Sequence, residues 1–152
     1  MSNWAWQVAG RDALHLSDEW YRIYGFDPKQ GMPSWEERLQ RVLPEDRDTW
    51  QGAIERAIRE KSDYEVAFRI LLPDGKLKWV HTVGHPVLSA AGELVQFVGS
   101  SIDITERKLA ERTLRESEAY LAEAQRLSQT GSWAWNASTR EIRYWSEECY
   151  RL

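Results

Sequence analysis

The chain has 152 residues, a formal net charge of −4 at neutral pH, 42% hydrophobic and 29% charged residues. This balance suits a globular domain with an appendage and excludes a disordered or membrane composition. No apolar run nears the roughly 18 residues a membrane helix needs, the N-terminus lacks a signal-peptide pattern, and an acidic chain lacks the basic face of a general nucleic-acid binder.

Trp4 to Val8 alternates large apolar and smaller residues, the period of a half-buried strand. Gly10-Arg11-Asp12 marks a turn, and Ala13 to Leu16 reads as the returning strand. Ser17 caps a short helix through Trp20, Tyr21 and Ile23, with Asp18 and Glu19 in the first turn, where the helix dipole favours acids. Gly25, Pro28, Gly31 and Pro33 break the chain, and Ser34 caps a second short helix carrying Trp35 and Leu39. Pro44 suits a first helical position, and Trp50, Ile54, Ala57 and Ile58 form one stripe of the helix that follows.

After Ser62 the period changes to two. Tyr64, Val66, Phe68 and Ile70 share one strand face, and Glu65, Ala67 and Arg69 the other. Pro73-Asp74-Gly75-Lys76 is a hairpin turn, since Asp-Gly supplies the positive φ of tight turns. Leu77 to Leu88 is the next strand, with Pro86 bending or ending its pairing, and Leu94 to Ile102 closes the sheet after a turn at Ala91-Gly92-Glu93. Two strands, several short helices and a three-stranded meander predict an α+β domain. Its five-stranded antiparallel sheet carries short helices on one face.

A long linker helix follows. Thr105 to Leu127 contains no Pro or Gly and is rich in good helix formers. Ala110, Leu114, Ser117, Leu121 and Ala124 alternate steps of four and three, a coiled-coil seam flanked by Leu109, Thr113, Tyr120 and Leu127. Such a helix either folds back on its own sheet or pairs with a second copy; a parallel dimer is the expectation. Gly131-Ser132 is expected to break it.

The chain then begins again. Trp4-Ala5-Trp6 returns as Trp133-Ala134-Trp135, and Arg11, Ser17, Glu19 and Tyr21-Arg22 return as Arg140, Ser146, Glu148 and Tyr150-Arg151, all at one fixed offset. An ungapped match of this kind predicts tandem domains. The expected division is a sensory domain at 3–105, a linker helix at 106–130, and the N-terminal part of a second copy at 131–152. That last segment lacks the sheet to cover its tryptophans, so association through 133–152 is also expected.

Several of these residues resemble one family. Pro73-Asp74-Gly75, Lys78-Trp79-Val80, Gly92, Val98-Gly99 and Asp103-Ile104-Thr105-Glu106-Arg107 look like the C-terminal (PAC-type) half of a PAS domain from a multi-PAS bacterial sensor histidine kinase or diguanylate cyclase. Trp20 to Phe26 resembles the helix after its second strand, and Leu43-Pro44-Glu45-Asp46-Arg47 the start of its long helix, where the family usually has His in place of Leu43. The resemblance implies a sheet curved around a small cavity. It also implies a cytoplasmic sensory module that passes a conformational change to downstream signalling domains of the same chain. Asp103 and Thr105, between the last strand and the linker helix, are the residues it makes the relay.

Candidate walls of a small-molecule pocket are Trp6, Tyr21, Tyr24, Trp35, Phe68, Trp79, Thr82 and Phe97, though the same residues also suit a filled core. No cofactor is evident. Haem needs an axial ligand, usually a helical histidine, whereas His15, His81 and His85 fall on predicted strands. A flavin-cysteine photosensor needs a mid-domain cysteine, and Cys149 lies outside the complete domain. That single cysteine also allows no internal disulfide, and no Cys/His cluster has zinc spacing. No nucleophile, base and orienting residue come together, and Glu45 and Asp46 are explained by the helix start they occupy. The expectation is a non-catalytic, homodimeric sensor without metal or nucleic acid. The alternatives are a ligand-free dimerisation spacer and a cofactor-bearing redox or gas sensor.

Overall fold

The computed structural model describes residues 1–139, with side chains to residue 128. The segment 140–152, which holds Cys149 and most of the second repeat, lies outside the described residues, as does any association through it. The chain divides into two units, Met1–Glu106 and a second beginning at Arg107.

In the first unit β1 (Ser2–Gln7) and β2 (Ala13–Leu16) precede three helices, α1 (Asp18–Tyr24), α2 (Trp35–Arg41) and α3 (Arg47–Glu60). The meander β3 (Tyr64–Leu71), β4 (Leu77–Leu88) and β5 (Leu94–Asp103) follows, and α4 (Thr105–Thr139) ends the described chain. All sheet pairings are antiparallel, in the order β2-β1-β5-β4-β3. The last strand, β5, therefore sits at the middle of the sheet, with the first strand beside it.

Each short helix is fixed by its ends. The Ser17 hydroxyl accepts the Trp20 N–H, and Gly25 closes α1 at φ 72°, a left-handed cap that costs glycine little. Ser34 and Glu37 form a reciprocal capping box at α2. Pro44–Asp46 departs from the expected helix start: it is one 3-10 turn, and α3 begins at Arg47. The reason is Asp46, whose carboxylate is spent on β3 instead of on the helix. It accepts the Arg69 backbone N–H at 2.8 Å and both Nε and Nη2 of the Arg69 side chain at 2.9 and 2.7 Å. This guanidinium holds the carboxyl below its ordinary value, and charge-assisted pairs of this kind contribute about 2 kcal/mol.

Pro86 does not end β4, which runs to Leu88, although pairing with β3 stops before it at Gly84. Pro86 itself pairs with Phe97, so β4 has a neighbour there on one side only.

Across the middle of the sheet runs an unusual row. Trp4 on β1 pairs with Gly99 on β5, Gly99 with Gly84 on β4, and Gly84 with Tyr64 on β3. The two glycines leave a trough in which the Trp4 and Tyr64 rings, from strands with β5 and β4 between them, stack at 6.2 Å with an interplanar angle of 26°. Around them Phe68, Ile70, Val80 and Phe97 are fully buried. From the helices, Trp20, Ile23, Trp50, Ile54 and Ala57 close the core.

The second unit is described only as helix. Leu109, Leu114, Tyr120, Leu121 and Leu127 are exposed along it, and Arg107–Glu111 and Arg112–Glu116 form i,i+4 pairs at 3.7 and 3.4 Å. The helix continues through Gly131-Ser132 to Thr139, past the expected break. A strand starting at Trp133 would need a neighbour to satisfy its backbone, whereas a helix satisfies its own, and one interior glycine costs only about 1 kcal/mol.

Candidate functional site: a cavity above the sheet and the junction with the last helix

Between the helices and the inner face of the sheet lies a cavity of about 40 Å³, measured as room for the centre of a water molecule. Trp6 and Thr82 rise from the sheet, Tyr24 comes from α1, Trp35 and Arg38 from α2, and Trp50 and Ile54 from α3; Trp20 and Tyr64 complete the wall. Four of the residues singled out in the sequence, Trp6, Tyr24, Trp35 and Thr82, thus come together here. Phe68 and Phe97 lie deeper, as core beneath the wall: Phe68 is 5.8 Å from Trp50, and Phe97 is 5.2 Å from Trp6. Tyr21 is buried edge-on to Trp20 at 5.6 Å and is not part of the lining.

Trp79 does not reach the cavity. The alternation of β4 turns Val80, Thr82 and Gly84 inward and leaves Trp79, His81 and Val83 on the other face. There the Arg69 guanidinium covers the Trp79 ring at 5.4 Å. No imidazole walls the cavity. His15 contacts Asn3 at 3.0 Å, His81 contacts Glu65 at 2.7 Å and His85 contacts Asp63 at 3.2 Å. Among the described residues no group of three or more His, Cys, Asp or Glu could hold a metal ion.

The cavity's polar groups are ordered into a chain. The Tyr24 hydroxyl lies 3.3 Å from Ser101 Oγ, which also accepts the Trp4 indole N–H at 3.1 Å. Thr82 Oγ1 lies 2.7 Å from the same Ser101 oxygen and donates to the Ser100 carbonyl at 3.0 Å. One assignment satisfies every proton: Tyr24 and Trp4 donate to Ser101, Ser101 donates to Thr82, and Thr82 donates to Ser100. Burial pushes the Tyr24 phenol up to about 12, against the opposing influence of its Ser101 bond and of Arg38.

Two residues beyond Ser101 the chain reaches the junction with α4. Asp103 Oδ1 accepts the Thr105 N–H at 2.9 Å and also the Thr105 hydroxyl proton. The Thr105 oxygen in turn accepts the Trp79 N–H at 3.0 Å, and the Ile104 N–H donates to the Trp79 carbonyl at 2.9 Å. Lys78, which the sequence places in the Lys78-Trp79-Val80 motif without giving it a role, joins this junction to α1. Its Nζ donates to the Ile23 carbonyl at 3.0 Å and lies 3.8 Å from Asp103 Oδ2.

A sequence profile of the PAS fold matches residues 13–101. The chain belongs to the PAS family. Among curated PAS-containing relatives it is 27% identical over 116 residues to the probable diguanylate cyclase DgcE of Escherichia coli, covering 76% of this chain and 10% of that protein. To the sensor protein FixL of Bradyrhizobium diazoefficiens it is 28% identical over 109 residues, covering 72% of this chain and 21% of that one. The chain therefore spans only a tenth to a fifth of these relatives. Its fold is similar to that of a sensory box histidine kinase/response regulator from Burkholderia thailandensis, with a TM-score of 0.65 and 27% identity over 80% of this chain and 90% of the other. The N-terminal domain of a diguanylate cyclase with PAS/PAC sensor from Marinobacter aquaeolei also matches, with a TM-score of 0.65, 22% identity, 70% of this chain and 97% of that one. This chain is thus a PAS sensory module of the kind found in kinases and diguanylate cyclases. No described helix is long and apolar enough to cross a membrane.

Arg38 is the wall residue that sequence reading missed, together with Trp20, Trp50, Ile54 and Tyr64. A charged side chain on a short helix reads as solvated. The signal was its position, three residues after Trp35 and one before Leu39, inside the apolar stripe of α2.

Proposed function

We propose that this PAS module relays a change at its cavity, through Asp103 and Thr105, to α4 and so to downstream domains of its parent protein. The carrying observation is that Lys78 ties Asp103 to the carbonyl of Ile23 in the last turn of the helix that also presents Tyr24 to the cavity. A displacement of Tyr24 shifts the end of α1, and with it the cation facing Asp103. The Ser101 chain offers a second route, since Ser101 stands on β5 two residues before the junction. Both routes end on the residue whose carboxylate holds the first turn of α4. The proposed role is cytoplasmic and non-catalytic, with the chemistry left to the parent's other domains.

In the full-length parent, Asp103→Ala is expected to reduce the ratio of stimulated to basal output at least about fivefold, the lower end of ordinary coupling energies. Amide exchange in the first turn of α4 should rise in parallel. An output ratio and exchange pattern equal to wild type would refute the relay.

The proposed partner is a second copy of the chain, paired along α4. Its exposed Leu114 and Leu121 lie on the seam, with Leu109, Tyr120 and Leu127 beside it. In the parent, residues 131–152 would open a second PAS copy. Light scattering of a chain ending at Ser128 is expected to give twice the monomer mass; a monomer would assign association to residues 129–152 instead.

A further inference from the structure

We infer that the cavity is a binding site for a small aliphatic monocarboxylate of two or three carbons, its carboxylate on Arg38 and its carbon end against the indoles. Arg38 is only 8% exposed. Two of its five N–H groups are spent on backbone carbonyls: Nε on Ser34 at 3.3 Å and Nη2 on Arg11. Among the described residues no carboxylate stands within ion-pair distance of it. Asp12 and Glu36 act on it only through space. A guanidinium so placed is costly, because a buried charge without a counter-charge loses its hydration for little return. Arg38 is part of the cavity wall, and its three remaining N–H groups have no hydrogen-bond partner among the described residues.

The surroundings point the same way. Arg11 and Arg38 both stand over the Trp35 ring, at 4.6 and 5.5 Å from its centroid, so a second cation flanks the same wall. The Tyr64 hydroxyl accepts the Trp6 indole N–H at 3.3 Å and has its own proton left to give. Arg38 and Tyr64 thus supply donors, while Trp6, Trp20, Trp50 and Ile54 supply an apolar wall. A hydrated inorganic ion gains nothing from that wall; a short carbon chain does. Size sets the limit. Room for about three water centres corresponds to roughly 90 Å³ of liquid, enough for acetate or propionate and too little for an aromatic cofactor without rearrangement.

This assignment deepens the sensory reading of the cavity but is tested apart from the relay, because binding is measured on this chain alone. Sodium propionate, titrated at constant ionic strength against chloride, is expected to change the tryptophan fluorescence saturably. It should also raise Tm by about 10 °C at a hundredfold excess over Kd. Propionamide, which has the same shape without the charge, should do neither. Arg38→Met should weaken propionate binding at least tenfold while near-ultraviolet circular dichroism stays native. The proposal is overturned by a wild-type chain that shows no saturable response, or by propionamide, phosphate or nitrate matching propionate. Unchanged affinity in a folded Arg38→Met chain would overturn it equally. Should Arg38→Met not fold, the wild-type contrast between propionate and propionamide decides alone.

Discussion

Gly99→Ala is expected to destabilise the domain by about 3 kcal/mol or more, lowering Tm by about 12 °C or more. A Cβ at this position would lie 2.0 Å from the Val83 carbonyl oxygen and 2.5 Å from the Trp4 ring. The first contact is with backbone, so no side-chain rotation relieves it; β4 and β5 must separate. Gly84→Ala is a different case. Its Cβ would meet only rings, Tyr64 at 2.4 Å and Trp4 at 3.0 Å. Tyr64→Leu should therefore rescue part of the Gly84→Ala loss, and Trp4→Leu should rescue little of the Gly99→Ala loss. Thermal melts of the single and double variants read both couplings. A Gly99→Ala chain that melts with wild type would mean that the trough is not needed.

A second large effect is expected in alkali. Tyr24 and Tyr64 are 8% and 7% exposed, and burial raises both phenols. The sign follows from linkage. Below about pH 10 the unfolded and folded chains hold these protons equally. Above it the unfolded tyrosines ionise while the folded ones cannot, so stability is lost as pH rises towards the folded value. For Tyr24, displaced from 10.0 to about 12, the loss by pH 12 is about 2 kcal/mol, and Tyr64 adds to it. Stability is expected to be flat to about pH 10 and then to fall steeply. Absorbance at the phenolate band should show Tyr24 and Tyr64 ionising only as the chain unfolds. Tyr24→Phe should make the decline shallower. Six tyrosines titrating together near pH 10 in a folded chain would contradict the burial argument.

Period and turn chemistry made most of the fold legible. The two-residue alternation of Tyr64 to Ile70, the Asp74-Gly75 hairpin and the serines before α1 and α2 each act locally, so each could be read from neighbours in sequence. Trp79 shows where that reasoning fails. Size suggested burial, yet the inner face of β4 needs a small residue at Gly84, because Tyr64 reaches across from β3 to lie there. The aromatic on the neighbouring strand takes the space, and β4's own tryptophan faces outward under Arg69. Which face is crowded depends on pairing, and pairing is not visible along the chain. Arg38 was hidden for a related reason: charge argues for solvent, and only the assembled walls reveal a guanidinium turned inward. Lys78 was hidden because its partners, Ile23 and Asp103, are far apart in sequence. At Gly131-Ser132 the difference ran the other way. Local breaker chemistry suggested a stop, yet α4 continues to Thr139, because a helix satisfies its own backbone whereas a strand needs a second segment.

The pairing of Ser2 with Ser101 has a mechanical consequence. β1 starts where β5 ends, so a pull between the domain's first residues and Asp103 acts at one end of an antiparallel pair. The strands then peel apart one rung at a time, each bond bearing the load alone, instead of resisting together as they would in shear. The domain is thus compliant to tension applied at its two ends, and the first rung to yield would be the Ser2–Ser101 contact, next to the root of α4 and ahead of the cavity.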